Sequence, residues 1–402
     1  MNGFALFHSS LLRSMSLTAL TEEQREIQTL AREFAAAEIA PHAARWDREA
    51  CFPVAVARRM GELGFLGMLL PEQYDGLGLD TTSYLIALEE IAAADASTAV
   101  LMSVHNSLPT QMLLNFGSDE QKERFLRPMA RGELIGAFAL SEPDAGSDAS
   151  ALRCQAVRSA DGAGWVLNGT KSWVTSGSFA DVIVVMARSD TPDARRGSRG
   201  ISAFIVTPDL PGFHVGKKED KMGLRASPTV QLDFDGMRVP AENMLGVEGQ
   251  GFVYAMRSLD NGRLGIAAQA LGIGRAALDA ALDYAAERKQ FGQPIREFQA
   301  IQFKLADMAS RLTAARALLH ATAAAKDRGE STTLHGAMSK LLASETAMFV
   351  TTEAVQIFGG YGYVKEYPVE KYFRDAKITE IYEGTSEIQR IVIARELYAE
   401  RA

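Results

Sequence analysis

From Phe298 onward, the apolar residues Phe298, Ile301, Leu305, Met308, Leu312 and Leu319 fall at spacings of three, four and seven. Such spacing places them on one face of a helix. Leu341, Met348 and Val355 repeat at seven, and both stretches predict long antiparallel helices over residues 246–402. Between residues 133 and 245 the period is two: Val230, Leu232 and Phe234 alternate with Gln231, Asp233 and Asp235, as in a half-buried strand. Ile183 to Met186 and Ile201 to Val206 are short apolar runs that fit deeper strands. Trp165-Val166-Leu167, then Asn168-Gly169, then Thr170 onward predicts a hairpin, because Asn-Gly accepts positive φ at both turn positions. Asp193 to Arg199 reads as a charged surface loop. Residues 17–132 read as helices, with capping boxes at Thr21/Gln24 and Ser118/Gln121 and breaks at Pro71 and Tyr74–Asp80. The order is thus a helical domain, a β domain and a helical bundle.

Composition narrows the class. The 402 residues are 47% hydrophobic and 23% charged, which excludes disorder and collagen-like repeats. Forty-two basic against fifty acidic residues give −8 with no basic stripe, so no nucleic-acid binding is expected. Cys51 and Cys154 lie far apart without a CxxC partner, which points to a reducing compartment and no metal. The longest uncharged stretch, Ala96–Ser118, contains Ser103, His105, Asn106 and Pro109, so no membrane span is expected. The first fifteen residues lack acids and carry one arginine. Cytoplasmic location in a bacterium is expected, or the mitochondrial matrix if that stretch is a presequence; a leader ahead of an alternative start at Met15 fits equally.

Gly272-Ile273-Gly274-Arg275-Ala276-Ala277 matches a dinucleotide fingerprint, but alanine-rich helix flanks it on both sides. The fingerprint works only where a strand meets a helix, so these small residues read as helix packing. No GxxxxGK[ST], HExxH or GxSxG occurs. Four other segments stand out: Ala139–Asp148 (ALSEPDAGSD), Trp173-Val174-Thr175, Gln356–Tyr363 (QIFGGYGY) and Ile381–Gln389 (IYEGTSEIQ). Taken singly they also read as a polar loop, a packed tryptophan beside a solvent threonine, a helix C-cap, and a Ser386/Gln389 capping box with Glu383 as an exposed loop carboxylate.

Together with Glu287–Gly292 (ERKQFG), and in this order and spacing, they closely resemble the acyl-CoA dehydrogenases. The likeness runs from about residue 20 to the C-terminus. Leu259–Gly272 and the final motif look most like the short-chain and short branched-chain members. The resemblance implies an N-terminal α-helical domain (17–132), a central β-barrel-like domain (133–245) and a C-terminal four-helix bundle (246–402). FAD would lie between the last two. Leu140, Ser141, Trp173, Val174 and Thr175 would line the flavin, with Thr385, Ser386 and Glu387 at its other side. Arg288, Gln290, Phe291 and Gln299, with Gln356, Gly359 and Gly360, would hold the adenosine diphosphate half, both groups reaching it across a dimer interface. Ser147, Asp260, Asn261, Gly262, Arg263, Tyr382 and Gly384 would contact the CoA thioester. A homotetramer and an electron-transferring flavoprotein as partner are implied likewise.

The chemistry explains these residue types. Desaturation of a thioester removes a proton from Cα and a hydride from Cβ. No side chain can take the hydride, so a flavin must. A desolvated carboxylate suits the proton. Glu383 matches the family's base; some members carry it instead at the position of Gly262, where glycine cannot serve. A flavin oxidase or hydroxylase on the same scaffold, and a silent acyl-CoA-binding protein, are the rival readings.

Overall fold

Thr21 and Ser118 open their helices as expected: each hydroxyl accepts from the N–H of the glutamine three residues on, and each glutamine side chain accepts the N–H of its cap residue. The computed structural model describes residues 17–190 and 197–399, so the stretch read as a presequence and residues 193–196 of the charged loop lie outside the described residues. Helix α1 (Glu22–Phe34) continues through a π-helical segment, Ala35–Ile39, into α2 (Ala40–Glu49). Next come α3 (Val54–Glu62), α4 (Thr81–Ala94), α5 (Ala96–Ser107), α6 (Pro109–Phe116) and the short α7 (Asp119–Gln121) and α8 (Arg127–Ala130). All twelve residues of α5 are buried, which explains the uncharged stretch: it is a core helix. Among the described residues no helix is long and apolar enough to cross a membrane.

The central domain is one eight-stranded sheet. Its strands are β1 (Gly136–Ala139), β2 (Gln155–Arg158), β3 (Gly164–Thr175), β4 (Val182–Arg188), β5 (Ile201–Val206), β6 (Phe213–Lys218), β7 (Thr229–Pro240) and β8 (Met244–Leu245). The hydrogen-bonded order is β6-β7-β3-β2-β4-β5-β8, with β1 parallel to β4. Residues from β1 to β7, including Ala137, Trp165, Ile183, Phe204 and Val230, share one core, around which the sheet curls. β4 and β5 are buried on both faces because Val182, Val184 and Met186 pack the other way, against Met112 and Leu113 of α6. Val230, Leu232 and Phe234 point inward as their alternation predicts.

The expected Asn168-Gly169 hairpin does not form. Both residues lie inside the twelve-residue strand β3, at a register shift against β7. Gly169 takes φ 141°, and a Cβ there would stand 2.8 Å from Cys154 Cα. Asn168 Oδ1 accepts the Gly236 N–H at 2.8 Å. The dipeptide therefore makes a bulge that lets β2 approach, because the flanking strand residues already have partners on both sides.

The C-terminal domain packs α9 (Gly251–Glu287), α10 (Gln299–Asp327), α11 (Thr333–Phe358) and α13 (Ser386–Ala399), with the shorter α12 (Val369–Lys377) between the last two. Gly272 and Gly274 sit inside the 37-residue α9. A Cβ on Gly272 would lie 2.5 Å from Glu89 O and one on Gly274 2.8 Å from Leu312 Cδ2, so these glycines serve close packing. Met308, Leu312 and Leu319 of α10 are buried, whereas Phe298, Ile301 and Leu305 are half-buried. In α11 the buried face is Ala343, Ala347, Val350, Ala354 and Ile357, and the seven-residue repeat Leu341, Met348, Val355 flanks it. Small side chains face α9 because two helices approach closest where neither carries bulk. Buried ion pairs then fasten α4 to the bundle: Arg316 donates to Glu89 at 2.5 Å and Arg275 to Glu90 at 2.9 Å.

Candidate active site

The turn Tyr382–Thr385 joins a 3-10 segment, Ile378–Glu380, to α13. Glu383 takes φ 52° and Gly384 φ 92°. A left-handed glutamate persists only where its surroundings fix it. Here Gln389 Nε2 donates to Gly384 O at 2.8 Å and to Glu383 O at 3.3 Å. Tyr382 OH donates to Gln269 Oε1, and Gln269 Nε2 to Ala96 O at 2.8 Å. The predicted Ser386/Gln389 capping box is absent. Thr385 Oγ1 accepts from the Ile388 N–H at 3.3 Å, Ser386 Oγ has no partner, and Gln389 is committed to the turn instead.

Both Glu383 carboxylate oxygens are buried and unpartnered. Burial pushes the carboxyl up to about 7, against the opposing charges of Lys340 and Arg263. The loop-carboxylate reading of Glu383 therefore fails. Room for the carboxylate comes from Gly262, buried in α9, where a Cβ would stand 2.0 Å from Glu383 Oε2. One turn on, a Cβ at Gly265 would stand 2.5 Å from Ser103 Oγ and 3.2 Å from Tyr84 OH. Arg263 donates to Asp260 Oδ1 at 2.5 Å, and Asp260 Oδ2 accepts from Thr333 Oγ1 at 3.2 Å. Lys326 donates to Asn261 Oδ1; burial lowers the Lys326 ammonium to about 8.

A second group gathers on the β domain. Ser172 N–H donates to Ser141 O at 2.9 Å, and Lys171 Nζ to Leu140 O at 2.9 Å and Glu142 Oε1 at 2.7 Å. The 140–148 loop is thereby sewn to β3. A register shift between Lys171 and Val174 turns Trp173 outward: it takes φ 62° and is 62% exposed, while Val174 is buried opposite Val230. Trp173 is thus no packed core residue. Thr175 and Ser141 are half-buried, and Ser147 stands exposed.

The third group lies at the far end of α9. The Arg288 guanidinium sits over the Tyr361 ring, 5.4 Å from its centroid. Gln290 and Phe291 belong to the small hairpin of β9 (Lys289–Gln290) and β10 (Gln293–Pro294), and Phe291 is 95% exposed. Gln299 and Gln356 are exposed on their helices. Added Cβ atoms at Gly359 and Gly360 would meet no atom within 4 Å, which leaves bare backbone facing open space. Thr385, Ser386 and Glu387 border a depression of about 360 Å³ with Glu380 and Arg390. These residues fit a flavin dinucleotide: an exposed indole edge beside hydroxyls at one end, and an arginine with unobstructed glycines at the other.

Lys340, Gln269 and Tyr84 are not singled out by the sequence, and Gln389 reads there only as a capping residue. Lys340 had a signal: a lysine in phase with Ala337, Ser344 and Ala347 on a face of small residues.

Three family models match in chain order: acyl-CoA dehydrogenase N-terminal domain at residues 21–133, middle domain at 137–237 and C-terminal domain at 249–398. The chain belongs to the acyl-CoA dehydrogenase family, whose members are FAD-dependent oxidoreductases. It is 52% identical to the mouse mitochondrial short-chain specific acyl-CoA dehydrogenase, over 94% of this chain and 90% of that one. It is 46% identical to the short-chain specific enzyme of Clostridium acetobutylicum, over 94% of this chain and 99% of that one. Among solved structures, butyryl-CoA dehydrogenase from Megasphaera elsdenii superposes with a TM-score of 0.92 at 46% identity, covering 95% of this chain and 99% of that one.

Proposed function

We propose that the protein desaturates short acyl-CoA thioesters between Cα and Cβ, with Glu383 as the base. The observation that carries this reading is the buried, unpartnered Glu383 carboxylate held opposite Gly262. Bound FAD would supply the hydride acceptor that no side chain can provide. Glu383 removes the Cα proton; its N–H, fixed in the left-handed turn, is available to the developing enolate oxygen. Leu140, Ser141 and Trp173–Thr175 form the flavin-facing wall, and Arg288, Gln290, Phe291, Gln299, Gln356, Gly359 and Gly360 the adenosine diphosphate end. Ser147, Asp260–Arg263, Tyr382 and Gly384 border the thioester. Gln269, buried in α9 and braced between Tyr382 and Ala96, holds the turn that carries Glu383.

The exposed Phe291 (95%) and Tyr363 (88%) beside the dinucleotide end support a partner subunit there and a homotetramer. The partner flavoprotein is proposed from similarity to a chain in a structural study of the electron transferring flavoprotein of Acidaminococcus fermentans. That chain has a TM-score of 0.92 and 48% identity, covering 94% of this chain and 98% of that one. Anaerobic bleaching of the flavin by acyl-CoAs of graded length tests the reading: butyryl-CoA should bleach faster than octanoyl-CoA. Equal rates, or no bleaching, would overturn it.

A further inference from the structure

Lys340 lies in the middle of α11 and is completely buried, one of the largest fully buried side chains of the protein. Among the described residues it has no ion-pair partner within 4 Å; its bonded partner is a neutral carbonyl, Gly384 O, at 2.8 Å. A buried ammonium satisfied only in this way is costly to keep, and a hydrophobic residue of the same length would pack α11 more cheaply. Its location explains why it is there. Gly384 O also accepts from Gln389 Nε2 at 2.8 Å, so donors from two helices pin the carbonyl that directly follows Glu383.

The charges around the carboxylate narrow the role further. Glu383 is faced by Lys340 from α11, by Arg263 from α9, by the Tyr84 hydroxyl from α4, and by Tyr382 of its own turn. Arg263 is committed to Asp260 at 2.5 Å, and the two tyrosines are uncharged. Lys340 is faced in turn by Glu383, Glu380, Glu387 and Arg263. Lys340 is therefore the facing cation not already neutralised by a bonded carboxylate. We infer that Lys340 is a positioning residue for the Glu383 carboxylate, fixing the left-handed Glu383–Gly384 turn through the Gly384 carbonyl and setting its ammonium as the counter-charge of the base. This rests on the reading of Glu383 as base. Burial lowers Lys340 itself to about 8, so the counter-charge is present where Glu383 ionises, near 7, and fades as pH rises past 8.

The test uses FAD-loaded enzyme with Lys340→Met, Lys340→Arg and Glu383→Gln. Single-turnover flavin reduction by butyryl-CoA is followed from about pH 6 to about pH 9, and the Glu383 carboxyl band, identified by its loss in Glu383→Gln, by difference infrared titration. Without the cation the ionised carboxylate is less stable, so in Lys340→Met the acid limb and the carboxyl band both move up by about one pH unit. Reduction at about pH 6 then falls about tenfold while the rate near pH 9 changes little. Lys340→Arg, which keeps charge and donor, keeps the wild-type limb. An unmoved limb and band, or an equal loss at every pH, overturns the inference. If Lys340→Met does not assemble with FAD, Lys340→Gln takes its place; failure of both shows a structural role only, and the inference falls. The two readings separate cleanly. Wild-type reduction by Glu383→Gln removes the base assignment, whereas a dead Glu383→Gln beside an unmoved Lys340→Met limb removes only the role of Lys340.

Discussion

The Cβ that Gly262 lacks would stand 2.0 Å from Oε2 of Glu383. Helix α9 therefore leaves at this position the space that the carboxylate occupies. Gly262→Ala should push the carboxylate aside while the fold gains up to about 1 kcal/mol of helix propensity. We expect an unchanged or higher melting temperature together with a fall in flavin reduction of about a hundredfold. Differential scanning calorimetry beside stopped-flow reduction checks the split. Gly262→Glu combined with Glu383→Gly should recover part of the loss, since the vacated space then accepts a carboxylate from α9.

Glu383→Gln keeps the side chain's size but cannot take up the proton. Binding of FAD and acyl-CoA should persist while reduction falls by about 10²–10⁴. In the wild type, reduction should rise as pH passes through about 7, because the carboxyl is held above its ordinary 4.5 and only the ionised form accepts a proton. A raised carboxyl favours folding below 4.5, and that advantage is lost as pH climbs through 7. Glu383→Gln should accordingly be more stable than wild type at pH 8, by about 3 kcal/mol at most, with the gap closing toward pH 5. Identical melting curves at both pH values would contradict the burial of this charge.

Lys171 and Glu142 form a buried pair under the 140–148 loop, with Glu142 also accepting the N–H groups of Arg153 at 2.6 Å and Cys154 at 2.9 Å. Lys171→Met leaves that carboxylate without its counter-charge. Stability should drop by about 3–5 kcal/mol, and FAD content should drop with it. Urea denaturation and the flavin-to-protein absorbance ratio report both.

His105 is buried between domains: Nδ1 accepts the Gly136 N–H at 3.1 Å, so Nε2–H donates to Met129 O, also at 3.1 Å. Burial lowers the imidazole to about 4 from its ordinary 6.5. A depressed histidine contributes stability above 6.5 that is lost as pH falls toward 4. His105→Gln, which takes up no proton, should begin less stable at pH 8 but show a flatter decline across that window. Denaturation midpoints measured every half unit of pH decide it.

Arg288→Ala removes the cation beside Tyr361 at the dinucleotide end. If that end is completed by a partner subunit, FAD affinity and assembly should weaken together, because a ligand bound at an interface stabilises it by mass action. Sedimentation velocity with and without added FAD shows whether they do.

Much of this was legible in the residues, and the exceptions have physical causes. Alternation in Val230–Phe234 and the capping glutamines 24 and 121 report local geometry, so they read correctly. Asn168-Gly169 misled because a turn signal states only that positive φ is tolerated; whether the chain reverses there depends on Gly236 and Cys154, distant in sequence. Ser386 misled for the same reason: Gln389, free to make a capping box, is taken by the Gly384 carbonyl. Trp173 reads as core by composition and is exposed because a bulge turns it out. The positions of Glu383 and Gly262 followed from motifs, but their mutual fit depends on a helix and a turn some 120 residues apart.

Helix α9 carries Gly262 about a third of the way along and leads directly into Arg288 at its C-terminal end, without a kink-forming proline along its 37 residues. At about 1.5 Å and 100° per residue it works as a ruler and a protractor at once. One residue inserted between these positions would swing the dinucleotide end around the helix axis by about 100° relative to the base, although no side chain of the site had changed. The length of α9 is thus itself an active-site parameter, and its exposed surface can vary freely only so long as its residue count does not.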